Sequence, residues 1–355
     1  MAAPTTDSAM YQTMHRQPDD VRGILAEDWP AAKEAARRIA NAGRIYLVGI
    51  GTSFHAAQIG EWLLRSAGAD AHAVMSYDFA IYPDTYPLRA ADAVIVMAHT
   101  GVKRFSAESL ARASAAGVTV ISVGSQSAEH PGSQQVLRTI DREKSAAYTS
   151  SHVTAMTVLA QIATELGEIR GAAGVGGFRE ALEALPDQIS EVLARKDEIE
   201  PVARDAVDKL VYATGAGPNA ITATEAVIKV REAAYGHIDA LPVEQFLHGP
   251  MVGVNAEDMA ISVHVSGNGE TRIAEVSRAL NALGTKMWIV GKPVEGIPDA
   301  PVFTLPETVE MISPLLAVVP LQLFAYHMAV AKGINPDTFR RDNQVYADAF
   351  AHSRL

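Results

Sequence analysis

The stretch 223–250, ATEAVIKVREAAYGHIDALPVEQFLHGP, gathers the residues of this sequence best suited to moving protons. Glu225, Lys229 and Glu232 stand at i, i+4 and i+7, a spacing that places all three on one face of a helix. A solvated stripe of Glu–Lys pairs has the same spacing, so the pattern alone fits an ion-paired surface as well as an acid–base site. Two neighbouring features favour the second. The helix follows directly on the loop Gly215–Ala216–Gly217, which sets its first turns at a strand end, and His248–Gly249–Pro250 breaks the chain sharply, unlike a histidine that fills an apolar face. A carboxylate within hydrogen-bond reach can take and return a substrate proton, and an imidazole does both near neutral pH. The expectation is acid–base chemistry that needs neither metal nor cofactor. The sequence shows no clear metal cluster, and its complete lack of cysteine excludes disulfides, zinc–thiolate sites and thiol nucleophiles within it.

Such residues need a scaffold, and strand-end glycines reveal it. RIYLVGIG (44–51) is a β-branched run closing on glycines, and TSFHAAQIGEWLLRSAG (52–68) continues with helical periodicity. DAVIVMAHTG (92–101), a helix from about Phe105 to Ala116, and the strand VTVISVG (118–124) extend an alternating pattern that predicts a parallel sheet. The pattern then returns in DKLVYATGAGP (208–218), AISVHVSGNGET (260–271) and KMWIVG (286–291). Gly49 and Gly215 are 166 positions apart, as are Gly101 and Gly267, while Gly124 and Gly291 are 167 apart. A constant register over three strand ends points to an internal duplication. The expected fold class is α/β, with two tandem doubly wound, flavodoxin-like parallel-sheet domains. The domain reading is an N-terminal helical segment at 1–34, a first domain at 35–170, a connector at 171–204, a second domain at 205–330 and a C-terminal tail at 331–355.

Ligands of such sheets bind beyond the carboxyl ends of the strands. Gly51, Thr52 and Ser53 sit at one such end, where glycine lets the backbone approach an anion and hydroxyls join the positive end of a helix dipole. His99, Thr100 and Gly101 end the next strand, and Thr149, Ser150 and Ser151 open the apolar helix that follows His152. Each could be an ordinary helix cap, yet three together on one sheet fit a phosphate site. The first loop lacks the full GxGxxG, and no acidic residue ends a following strand to take a ribose, so a dinucleotide is a poor fit.

Size and charge agree with this picture. The 355 residues suit two domains, and with 48% hydrophobic residues a large core can be buried. A net charge of −11 argues against a nucleic-acid partner but not against a small phosphorylated ligand held by backbone N–H groups. The first twenty residues contain no apolar h-region, so no signal peptide and a cytoplasmic location are expected. The apolar run Ile312–Val330 is interrupted by Ser313, Pro314, Pro320, Gln322 and His327, and is expected as a buried core helix rather than a membrane span.

Taken together, GIGTSFHAA, AHTG, TSSHVTAMTVLA, EAVIKVREAAYGH, EQFLHGP and PLQLFAYHMAVAKGINPD resemble the SIS (sugar isomerase) family over almost the whole chain. The likeness is to the isomerase half of glucosamine-6-phosphate synthase and to its relatives, the fructosamine-phosphate deglycases and SIS-type glucosamine-6-phosphate deaminases. The combination of E-x-x-x-K-x-x-E with a later HGP carries most of that specificity. The resemblance implies that Glu232 is the base moving a proton between C1 and C2 of a phosphosugar. It implies that His248 assists ring opening, supplied by the neighbouring subunit of a homodimer with shared sites. Lys229 is implied as a supporting group near the reacting oxygens, and Gly51, Thr52, Ser53, His99, Thr100, Gly101, Ser150, Ser151 and Glu225 as the substrate- and phosphate-binding set.

The departures are informative. The synthase's phosphate loop is S-x-S-G-E-T, whereas this chain has Ala98–His99–Thr100–Gly101–Val102–Lys103, where Lys103 could replace a lost hydroxyl as a point charge. Where the synthase tail carries an imine-forming lysine, this sequence reads Arg340–Arg341–Asp342–Asn343–Gln344. A substrate that already contains nitrogen does not need that lysine. The expected activity is therefore fructosamine-6-phosphate deglycase. The alternatives are glucosamine-6-phosphate deaminase, an aminotransferase/isomerase-like enzyme lacking the glutaminase domain, and a non-catalytic sugar-phosphate sensor. On the tail, Arg340, Arg341 and Tyr346 could meet the carboxylate of an amino-acid moiety or could equally be a solvated end.

Overall fold

The computed structural model describes residues 7–27, 29–101 and 103–353. Val102 of the second loop and parts of the segments 1–34 and 331–355 lie outside the described residues. In chain order the elements begin with α1 (Ala9–Glu27), α2 (Trp29–Ile39), β1 (Ile45–Gly49), α3 (Thr52–Ser66), β2 (Ala71–Met75), α4 (Ser76–Ile81) and β3 (Ala93–Met97). They continue with α5 (Arg104–Ala115), β4 (Thr119–Gly124), β5 (Gln135–Arg138), α6 (Ser150–Arg170), α7 (Phe178–Ala194), α8 (Glu200–Asp205) and β6 (Val211–Gly215). Then come α9 (Pro218–Ala234), β7 (Ile238–Pro242), α10 (Val243–Leu247), β8 (Met259–His264), α11 (Glu270–Ala282), β9 (Lys286–Gly291), β10 (Val302–Thr304), α12 (Ser313–Ala331) and α13 (Gln344–Ala351).

The chain divides into two compact units. The N-terminal unit comprises Gln17–Glu143 and Ser150–Pro186, and its five-stranded parallel sheet has the order β2-β1-β3-β4-β5. Its central strands β1 and β3 are buried along their whole length, as expected where helices cover both faces of a parallel sheet. Tyr46, Val48, Val94, Val96 and Val120 pack with Phe79 and Leu110 into a core.

The C-terminal unit comprises residues 7–16, Lys144–Thr149 and 187–353. Its parallel sheet, read from the other edge, is β7-β6-β8-β9-β10. Each unit therefore places its first strand second in the sheet and crosses over to its third, the same topology twice. The segment 171–204 is largely helical, and the division between units falls inside α7, after Pro186.

Helix α12 is, among the described residues, the one helix long and apolar enough to cross a membrane. It is buried from Ser313 to Ala329 within the C-terminal unit. One neighbour is the end of α9, where a Cβ on Gly236 would stand 2.8 Å from the Met328 sulfur.

Candidate active site

In the C-terminal unit, α9 is the element that places the acid–base residues. Gly217 caps it with φ 53° and ψ −131°, Pro218 occupies its first turn, and Tyr235 ends it in the left-handed region at φ 50°. The helix buries Ala223, Ala226, Val230 and Ala233 against the sheet and α12. The stripe predicted from i, i+4 and i+7 is not a solvated surface. Glu225 and Lys229 are fully buried, and only Glu232 reaches towards solvent, with 23% of its side chain exposed. Lys229 Nζ donates to Glu232 Oε2 at 2.9 Å and lies 3.5 Å from Glu225 Oε1. One ammonium thus faces two carboxylates, the inner one sealed and the outer one accessible. Burial of this kind strengthens their mutual attraction while exacting a large desolvation cost, which makes the group sensitive to loss of any member.

His248 is placed differently. It follows α10, immediately before Gly249 (φ 127°), and its side chain is 77% exposed. Its ion-pair neighbour among the described residues is Glu244, at 3.4 Å, and Glu244 in turn pairs with Arg272. The structure therefore gathers Glu225, Lys229 and Glu232, and holds His248 on an exposed turn beside Glu244.

The tail also belongs to this unit. Phe339 and Arg340 both adopt left-handed backbone, at φ 54° and 58°. The Arg340 guanidinium stacks 3.9 Å from the Tyr346 ring centroid and 4.8 Å from that of Tyr235, three residues beyond Glu232. Tyr235 Oη meets Thr338 Oγ1 at 3.3 Å, and Lys332 donates to the Tyr235 carbonyl. Burial holds the Lys332 ammonium below its ordinary pKa, with Arg340 acting in the same direction and Asp208 opposing. Asp337 accepts from the amides of Ala9 and Met10 and so caps α1. Tyr235 and Asp337 fall within the segments EAVIKVREAAYGH and PLQLFAYHMAVAKGINPD, but the sequence assigns neither of them a role.

In the N-terminal unit the loops predicted to hold phosphate lie at the carboxyl ends of β1 and β3. Gly49 is required there, because a Cβ would stand 2.4 Å from the Ser53 carbonyl oxygen. Gly51 caps α3 with φ 57° and ψ −136°, leaving Thr52 and Ser53 on the first turn, half-buried. Gly101 takes φ 87°, Thr100 beside it is half-buried, and Lys103 is exposed just before α5. His99 is a neutral group rather than a cation for phosphate: burial, with help from Arg142, pushes its imidazole down to about 4. His130, packed over Gly124, is likewise down to about 4, from burial and then Arg138.

The third loop is organised differently from the expectation of open hydroxyls. Ser150 and Ser151 are both buried, Ser150 Oγ donates to Asp20 Oδ2 at 2.6 Å, and the Ser151 amide donates to Glu143 Oε1 at 2.7 Å. In this arrangement carboxylates already hold the donors a phosphate would take. Asp20 carries no mark in the sequence, because intervening elements separate it from Ser150, while Glu143 lies eight positions before Ser151 in the loop ahead of α6.

Among the described residues no three His, Asp or Glu side chains converge in a way that could hold a metal ion. A small depression, open to solvent, lies at the ends of β8 and β9 of the C-terminal unit, lined by residues including Ser266, Lys292 and Thr308. Glu232 is not part of its lining.

Comparison with known proteins agrees with this architecture. Residues 38–165 match the SIS domain family model. Over 92% of its length the chain is similar to glutamine–fructose-6-phosphate aminotransferase (isomerizing) of Pyrococcus horikoshii, with 26% identity across 339 residues. It spans 56% of that protein, about half the length of the curated relatives it matches. Among solved structures, the C-terminal domain of glucosamine-fructose-6-phosphate aminotransferase from Francisella tularensis superposes with a TM-score of 0.87 at 19% identity, covering 94% of this chain and 99% of that one. Glucosamine-6-phosphate deaminase from Thermotoga maritima gives 0.74 at 18% identity, with 93% and 97% covered. At these identities the structural likeness establishes the fold.

Proposed function

We propose, for a chain whose residues 38–165 match the SIS domain family model, that it acts at C1 and C2 of an amino-sugar phosphate as a fructosamine-6-phosphate deglycase. The observation that carries the reading is the group on α9, in which buried Lys229 holds the one accessible carboxylate, Glu232, at 2.9 Å. Glu232 takes a proton from C1 of the ketosamine, giving the C1–C2 enaminol, and returns a proton to C2. Water then adds to the resulting C1 imine, the C–N bond breaks, and glucose 6-phosphate and the free amine leave. Lys229 fixes the direction of the Glu232 carboxylate, and Glu225 keeps the ammonium in place.

In the same proposal the phosphate is bound by the backbone and hydroxyls of Gly51, Thr52, Ser53, Thr100 and Gly101, with Lys103 as a point charge. His248 opens the sugar ring. Its 77% exposure supports a role in the site of a second copy, in a homodimer. The choice of deglycase rests on the tail, where Arg340–Gln344 offers no lysine to form an imine with a ketose. The test is a product assay with fructosamine 6-phosphates of common amino acids, glucosamine 6-phosphate, and fructose 6-phosphate with ammonia. Glucose 6-phosphate with free amino acid is the expected result. Ammonia from glucosamine 6-phosphate alone would move the assignment to a deaminase, and sugar-phosphate binding without turnover of any of the three would favour a non-catalytic sugar-phosphate sensor.

A further inference from the structure

The two units repeat one turn almost identically. Gly51 and Gly217 cap α3 and α9 with φ, ψ of 57°, −136° and 53°, −131°. Each follows a strand-end glycine whose Cβ would collide with the first helical turn, 2.4 Å from the Ser53 oxygen at Gly49 and 2.2 Å from the Asn219 oxygen at Gly215. What lies over the two turns differs. A Cβ built on Gly51 meets no atom of the described residues within 4 Å, whereas one on Gly217 meets Glu310 Oε1 at 3.7 Å.

Glu310 reaches into the C-terminal unit's loops much as a bound anion would. Its Oε2 accepts from the Asn268 backbone N–H at 3.1 Å and from Asn268 Nδ2 at 3.2 Å. Gly267 makes room for it, since a Cβ there would lie 2.3 Å from Glu310 Cδ. Next in the chain, Gly269 caps α11 and packs against Ala216, so the carboxylate sits close to the starts of both α9 and α11, where the helix dipoles favour negative charge. The residue is anchored from behind: Ser313 Oγ donates to the Glu310 carbonyl and accepts from Asn219 Nδ2, both at 2.7 Å. The lysine at the neighbouring strand end, Lys292, is already paired with Glu270 at 2.6 Å.

We infer that Glu310 is a resident anion that closes the C-terminal unit's copy of the strand-end loops to phosphate, and so confines phosphate binding to the N-terminal unit. The inference rests on the reading of Gly51–Ser53 and Thr100 as phosphate loops. It makes Glu310 a specificity residue that touches no substrate. A carboxylate tethered to the chain occupies its position at high effective concentration and repels a second anion. Two units of one topology then bind one phosphate, not two.

The experiment is a titration of the full chain with inorganic phosphate, followed by backbone amide shifts, for the native sequence, Glu310→Ala and Glu310→Gln. In the native chain the Thr52 and Ser53 amides shift saturably and those of Gly217 and Asn268 do not. In Glu310→Ala, Gly217 and Asn268 gain a saturable response. Glu310→Gln keeps the shape and a contact to Asn268, so it decides the matter should the alanine variant fail to fold; its neutral amide yields to phosphate at higher concentration. A native Asn268 response equal to that of Thr52 would overturn the inference, as would silence at Asn268 in whichever variant folds. Silence at Thr52 and Ser53 with a gained response at Asn268 would instead remove the phosphate-loop reading and leave the role of Glu310 intact.

Discussion

Lys229 is the residue on which the candidate site's geometry depends, because its ammonium pairs with both Glu225 and Glu232 and has no access to water. Removing one member of a buried ion group leaves uncompensated charge, at a cost of about 3–5 kcal/mol. Lys229→Met is therefore expected to lower the urea midpoint clearly, and adding Glu225→Leu is expected to recover much of the loss. A single variant as stable as the native chain would show that the ammonium does not hold the group together. At the outer end, Glu232→Gln keeps shape and the contact to Lys229 but cannot take a proton. It is expected to retain sugar-phosphate affinity in calorimetry and to lose turnover by orders of magnitude; near-normal rates would dismiss it as the base.

The strand-end loops carry their own pH signature. His99 and His130 titrate at about 4 in the folded chain, against an ordinary value of 6.5, chiefly because burial penalises the imidazolium. The unfolded chain thus binds these protons at higher pH than the folded one. Their contribution is undisturbed above about 6.5, and stability falls as the pH drops from there towards 4. His130→Leu is expected to flatten the acid side of a urea-midpoint profile relative to the native chain, while an unchanged slope would contradict the assignment. At this scale much was legible in the sequence. The glycines at 49, 51, 215 and 217 mark real strand–helix turns because close approach or positive φ excludes other residues there. The helical face of Glu225, Lys229 and Glu232 was readable from spacing, but its burial was not, since that depends on α12 packing some ninety positions later. Asp20 on Ser150, Asp337 on the start of α1 and Glu310 on Asn268 were invisible for the same reason: each pairing joins residues far apart in sequence, and no local pattern encodes it.

For the molecule as a whole, the proposal sets His248, whose side chain is 77% exposed, in the site of a second copy of the chain. Mixing Glu232→Gln with His248→Ala, each inactive alone, is expected to restore part of the activity through mixed dimers, whereas a mixture as inactive as its components would place both residues in one chain's site. The most direct test of the central claim, proton transfer by Glu232 followed by amine release, is turnover of a fructosamine 6-phosphate in D2O, with products read by NMR. The account predicts free amino acid and glucose 6-phosphate carrying deuterium at C2, and neither product from Glu232→Gln. Amine release by Glu232→Gln at the native rate, or no amine release from the native chain, would contradict it.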